Sequence, residues 1–138
     1  MNKRRGAESA EFAEEENQIS ELVIGAAIEV HRHLGPGLLE GAYEACMCHE
    51  LTLRSVRFER QQHLEVSYKG VSVRRAFRVD LIVENLVFVE LKAVEALSEV
   101  HQVQLLTCLR LANKRLGLVI NFNTPVLWRG VRRVVNKL

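Results

Sequence analysis

Two carboxylates and an ammonium, Asp80, Glu90 and Lys92, have the residue types and spacing that admit chemistry. They fall in the stretch from Val79 to Lys92, which reads as two β-branched strands joined by a tight turn at Glu84-Asn85-Leu86. Folding symmetrically about Asn85 sets Asp80 directly across from Glu90, with Lys92 further along the same face. Directly opposed cross-strand residues have Cβ atoms ~5 Å apart. Carboxylates that close repel unless something positive separates them, and a divalent cation does so best. Alternation sends Val79, Leu81, Val83, Val87, Val89 and Leu91 to the other face. Ile82 and Phe88 share the face of the acids, so that face is not simply a polar surface. The hairpin is the candidate active site, and a solvated sheet face is the alternative.

Several elements must position it. Apolar residues at Ile19, Leu22, Val23, Ala26, Val30 and Leu34 predict an amphipathic helix from Asn17 to Leu34. Gly35-Pro36-Gly37 ends it, because Gly takes the left-handed cap and Pro cannot continue the ladder. A second helix, roughly Leu38 to Arg54, carries a stripe of Leu39, Ala42, Tyr43, Cys46, Met47 and Leu51. Glu40 lies in its first turn, where the helix dipole favours an acid, and shares a face with Tyr43. Glu40 is either such a first-turn acid or a side chain aimed at the hairpin. Leu64 to Tyr68 and Val71 to Val73 read as strands joined at Lys69-Gly70, a two-residue turn. The second continues as a long strand, bent near Arg75-Ala76, into the central hairpin. Alternation along it places Arg74 and Arg78 on the side of Asp80, where phosphates would need neutralising. A solvated basic edge is the plainer account.

Beyond Lys92, Ser98 is the expected N-cap of a third helix reaching about Asn113. Its stripes take in Val103, Leu106 and Leu109, and also Val100, Gln104, Cys108 and Leu111. Gln104 thus falls on an apolar line, where an amide needs a partner. Leu116 to Phe122 reads as a buried strand. Strand, helix, strand in that order implies a right-handed crossover between parallel neighbours. Val131 to Val135 is a last short strand or tail.

The 138 residues suit one domain, with 48% of them hydrophobic. No apolar run reaches the ~20 residues of a membrane span, so no membrane partner is expected. Residues 1–16 are polar and are expected to form a disordered or frayed tail, leaving 17–138 as the domain. The basic start lacks the apolar run of a signal peptide. Cys46, Cys48 and Cys108 are an odd number and the first two share one helix, so no disulfide framework is expected, which points to a reducing cytoplasm. Cys46, Cys48 and His49 crowd one helix and cannot converge on zinc. Net charge is +2, but residues 1–53 hold four Lys/Arg against ten Asp/Glu. From Val100 onward there are seven Lys/Arg and no acid. That polarity fits a basic side offered to a polyanion. Acidic end meeting basic end in a homodimer or larger assembly is the alternative.

The order helix, β-meander with Asp80 then Glu90-Leu91-Lys92, helix and strand resembles the PD-(D/E)XK nuclease superfamily, with Val79 where its name has proline. Gly37-Leu38-Leu39-Glu40-Gly41-Ala42-Tyr43 is similar to the motif of the GxxExxY protein family, grouped with those nucleases. Ile24 to His31 and Gly117 to Phe122 extend the likeness, which runs from Asn17 to the C-terminus. Cys108 departs from it, standing where a Tyr is expected after the glutamine. The resemblance implies an α/β, restriction-endonuclease-like core of order αβββαβ, with a mixed central sheet flanked by helices. It implies a nuclease hydrolysing DNA with Mg²⁺ or Mn²⁺. Glu40, Asp80, Glu90 and the Leu91 carbonyl would be metal ligands. Asp80, Glu90, Lys92 and Gln104 would be catalytic. Arg74, Arg78 and Tyr43 would meet the nucleic acid. A catalytically silent nucleic-acid-binding module and an assembly or regulatory protein are the competing expectations.

Overall fold

Spatial order follows chain order in the sheet. Strands β1 (Phe58–Tyr68), β2 (Val71–Val83), β3 (Val87–Lys92), β4 (Leu116–Asn121) and β5 (Val131–Val135) lie side by side as β1-β2-β3-β4-β5. The structure is a computed structural model that describes residues 3–137, and the side chains of 14–137. β3 and β4 are parallel and every other pair is antiparallel. Helix α3 (Glu99–Ala112) makes the crossover between the parallel strands, as a parallel pair requires. Helices α1 (Lys3–Leu34) and α2 (Glu40–Leu53) precede the sheet. The mixed α/β sheet flanked by helices is the architecture the sequence implies.

Each sheet face buries its own core. Val23, Ala26, Tyr43, Met47 and Leu51 of α1 and α2 close on Leu81, Val83, Val87, Val89 and Leu91. Leu105, Cys108 and Leu109 of α3 close on Ile82, Phe88 and Val119. β3 and β4, covered on both sides, therefore read as apolar runs. Gly117 lets α3 approach β4, since a Cβ there would stand 2.7 Å from Leu105 Cδ2.

Four expectations change. α1 is helical from Lys3, through most of the segment assigned to a tail. Its Glu, Ala, Lys and Arg favour helix without any apolar stripe to announce it. The side chains of residues 1–13 lie outside the described ones. β1 starts at Phe58 and not Leu64, because the polar run Glu59 to His63 pairs with β2 at the sheet edge. α2 starts at Glu40, with Leu39 as its N-cap. On α3, Val100, Val103, Gln104 and Leu111 are exposed, so the apolar line through Gln104 is not a buried one. Its buried stripe is Leu105, Cys108 and Leu109.

The bend near Arg75 is a β-bulge. Leu64 pairs with Phe77 but Val66 pairs with Val73, and Arg75 adopts φ 55°. That bulge interrupts the alternation by which Arg74 was set beside Asp80. Val79 also leaves its assigned face, packing with Ile82 and Phe88 on the α3 side. Beyond its contact with β3 the β1–β2 pair is two-stranded, and such ribbons twist more strongly.

Candidate active site

The turn between α1 and α2 shows how one acid is aimed. Gly35 (φ 68°) caps α1 through its N–H to the His31 carbonyl, and Gly37 (φ 101°) turns the chain again. Tyr43, fully buried, donates its hydroxyl to the Gly35 carbonyl at 2.6 Å and accepts the Leu38 N–H at 3.1 Å. Its ring stacks on Phe122 with centroids 4.5 Å apart. Tyr43 thus pins the turn that sets Glu40 at the start of α2. Buried on all sides, it cannot meet nucleic acid, and that expectation is corrected. An aromatic at i+3 from an acid on an apolar stripe packs inward when the stripe faces the core.

Asp80 and Glu90 meet where β2 parts from β3. The register Leu81↔Val89 and Ile82↔Phe88 carries on to set them opposite one another. Asp80 Oδ2 accepts the Leu91 N–H at 2.9 Å, and the Asp80 N–H points to Glu90 Oε1 at 3.2 Å. Each carboxylate thus accepts from the other strand's backbone, which sets the two side chains next to each other. Asp80 is 2% exposed. Burial pushes the Glu90 carboxyl up to about 8, and the Asp80 charge adds to the push. Glu40 is raised too, first by burial and then by Asp80, with Lys92 opposing. The Glu40 side chain is thus within electrostatic reach of Asp80 and Lys92.

Asp80 does not keep strictly to the Ile82 face. Its Oδ1 receives Gln61 Nε2 at 3.3 Å, and the same amide bonds Glu44 on α2. Gln61, opposite Asp80, has a left-handed backbone (φ 53°), which turns its side chain toward α2. Arg60 Nε holds the other Glu44 oxygen at 3.0 Å. Glu44, buried at 8% exposure, thus orients Asp80 through Gln61. Sequence reasoning missed Glu44 and Gln61. Glu44 lies four residues after Glu40, on the same helix face, and that spacing was the available signal.

α3 supplies the other wall. Phe77, Arg78, Glu90, Lys92, His101, Gln104 and Cys108 line a cavity of about 330 Å³. Ser98 begins the helix, and its N–H donates to His101 Nδ1 at 3.2 Å, which fixes the ring. Gln104 is exposed on this wall. The Cys108 thiol is pushed up to about 11 by burial and then by the Glu90 charge, so it is an inert wall. Arg78 Nη2 stands 3.8 Å from Asp80 Oδ1. Arg74 is exposed within the bulge of the ribbon. Leu91 is buried, and its N–H is the donor to Asp80.

The donor set suits a hard cation. Adjacent carboxyls, with Glu90 raised by burial and by the Asp80 charge, are a site whose repulsion a divalent cation would relieve. Oxygen donors fit Mg²⁺ or Mn²⁺. Among the described residues no three His, Cys, Asp or Glu form a ready-made metal cluster. The expected convergence of Glu40, Asp80 and Glu90 on one cation is therefore not prearranged, because Glu40 projects from the other helical layer.

A five-stranded mixed sheet between helices, with Asp and Glu-x-Lys at its split strands, defines a restriction-endonuclease-like domain. Residues 17–134 match the model of the PD-(D/E)XK nuclease superfamily. The chain belongs to that superfamily. The crystal structure of SSO0001 is similar at 16% identity and a TM-score of 0.44, over 87% of this chain and 79% of that one. A comparison with curated proteins finds no match.

Proposed function

We propose that this protein is a nuclease of the GxxExxY kind that hydrolyses phosphodiester bonds in DNA with Mg²⁺ or Mn²⁺. The observation that carries the reading is the juxtaposition of Asp80 and Glu90 across β2 and β3, each accepting the other strand's N–H, beside Lys92 on the wall of a cavity. Asp80 and Glu90 would hold the cation, with Glu40 and the Leu91 carbonyl as further oxygen donors. Bound there, it would act as a Lewis acid on a phosphate oxygen. Lys92 would orient the attacking water and offset charge growing on the phosphate. Gln104, on the cavity wall, would hold the phosphate backbone. The GxxExxY assignment is supported by what its residues do in this fold. Gly37 supplies a positive φ, Glu40 lies within electrostatic reach of Asp80, and Tyr43 pins the turn that precedes Glu40.

The test is incubation with plasmid and with single-stranded DNA, in Mg²⁺, Mn²⁺ or EDTA, beside Asp80→Ala. Cleavage should need a divalent cation and vanish in the variant. Inertness of the parent on both substrates, or full activity of Asp80→Ala, would overturn the reading.

A further inference from the structure

The β1–β2 pair is longer than the sheet it belongs to. β2 pairs with β3 over Leu81–Val83, whereas its pairing with β1 continues to Tyr68↔Val71 at the tip. β2 runs antiparallel to β3, so the residues before Asp80 extend past the end of β3 where Glu90 and Lys92 lie. From Phe77 to Val71 the overhang is ~20 Å at ~3.3 Å per residue. Leu64 and Phe77 anchor its base against the α3-side core. Beyond them, residues 67–76 are all exposed, so neither ribbon face is covered. Lys69 (φ 45°) and Gly70 (φ 82°) close the tip in the turn pattern that matches strand twist.

Its surface is specialised. The overhang carries Lys69, Arg74 and Arg75, with Arg78 next to its base, against a single acid, Glu65. Arg78 joins it electrostatically to the site, 3.8 Å from Asp80. Tyr68, Val71 and Val73 are 62%, 60% and 44% exposed at the tip. The Lys69 ammonium lies 5.3 Å from the Tyr68 ring centroid. An exposed two-stranded hairpin rich in β-branched residues is a liability unless something pairs with it.

We propose that this ribbon enters the major groove of duplex DNA and seats the backbone at Asp80 and Glu90. The proposal rests on the nuclease reading above and adds the form of the substrate. The B-form major groove, ~12 Å wide and ~8.5 Å deep, admits a two-stranded ribbon. The A-form groove of duplex RNA is too narrow for side chains to read, which favours DNA. The cations meet the phosphates flanking the groove, and the apolar tip meets base edges such as the thymine methyl. A symmetric pairing of two copies through the ribbon would bring these cations against one another.

Two variants test it. Lys69→Asn with Arg75→Gly removes two cations while keeping residues that tolerate positive φ. The second shortens the ribbon by excising residues 67–72 and closing it with Asn-Gly. Thermal unfolding checks that each variant folds. Binding is read by fluorescence anisotropy in EDTA, on a labelled duplex and on its single strand, across a KCl titration. The parent should prefer the duplex. The double substitution should flatten the log–log salt slope on the duplex by about 1.8. The shortened variant should lose duplex affinity tenfold or more while its single-strand affinity changes little. Duplex binding equal to the parent's in the double substitution would overturn the proposal. So would a parent that prefers single strands, or sedimentation showing a dimer that Tyr68→Ala dissolves. Cleavage is read separately in Mg²⁺, so an active parent with an indifferent ribbon sinks the groove proposal alone. A parent that neither binds nor cleaves sinks the nuclease reading as well.

Discussion

Lys92 separates a structural ion pair from a working group. As a partner for Glu90 and Glu40 alone, its removal would change stability by only ~0–1 kcal/mol, as half-exposed pairs do. Beside a scissile phosphate it stabilises charge that exists only in the transition state. Lys92→Ala should therefore keep the fold and the DNA affinity but slow cleavage by ~10²–10³-fold. Lys92→Arg should restore little, because a planar fork replaces a compact ammonium. Parent-like rates in Lys92→Ala would end the mechanism. Glu90 makes a second demand, on pH. In the fold its carboxyl is held up to about 8, above the 4.5 of the free group. The unfolded chain thus releases that proton earlier, and metal-free stability must fall as pH rises from about 4.5 to about 8. Melting temperatures without metal should decline across that window, as unfolding free energy falls by on the order of a few kcal/mol in all. Glu90→Gln should flatten the decline. A Glu90→Gln profile that still tracks the parent would show that the burden lies elsewhere.

The α1–α2 turn is where element and chemistry join. Tyr43 gives two hydrogen bonds to a turn that would otherwise be free to move Glu40. Tyr43→Phe keeps the ring on Phe122 but leaves the Leu38 N–H and Gly35 carbonyl without that partner. Stability should drop by ~0.5–1.5 kcal/mol in urea unfolding, the net worth of an ordinary hydrogen bond, since the freed Leu38 N–H and Gly35 carbonyl lie at a part-exposed turn. Cleavage should drop further than that loss explains, because Glu40 is released. Unchanged cleavage in folded Tyr43→Phe would mean that Glu40 needs no such support. The turn also shows what was legible. The spacing of Gly37, Glu40 and Tyr43 and the Asp80/Glu90 hairpin could be read from residue types, since each rests on local backbone rules. The inward direction of Tyr43 could not, because it depends on Phe122, seventy-nine positions away. Gln61 and Glu44 were hidden for the same reason. Their roles rest on a left-handed residue at Gln61, which no alternation pattern announces. The bend at Arg75 was legible as a break in the apolar pattern, but its effect on Arg74 was not.

Across the whole molecule, the positive charge after Val100 is not gathered at the site. β4 starts beside the β2–β3 turn, where Lys114 Nζ bonds the Asn85 carbonyl at 2.7 Å. The Arg115 carbonyl accepts the N–H of Asn136, so Lys137 lies at that same end. Glu90 and Lys92 lie toward the other end of β3, which runs parallel to β4. Arg133 turns away to Asn17 on α1. Charge polarity along the chain therefore overstates polarity in space: Lys114, Arg115 and Lys137 lie at the far end of the sheet, while Arg132 of β5 lies level with Glu90 but two strands away, across Val119. Arg78 stands instead on the ribbon, beside Asp80. No helix among the described residues is long and apolar enough to cross a membrane. Arg78→Ala and Lys137→Ala each remove one positive charge from an exposed position. Every phosphate contact contributes about −0.9 to the log–log salt slope on duplex DNA. Arg78→Ala should flatten that slope by nearly one, and Lys137→Ala should leave it alone. An equal loss in both would mean that net charge, and not the site end of the sheet, attracts the DNA.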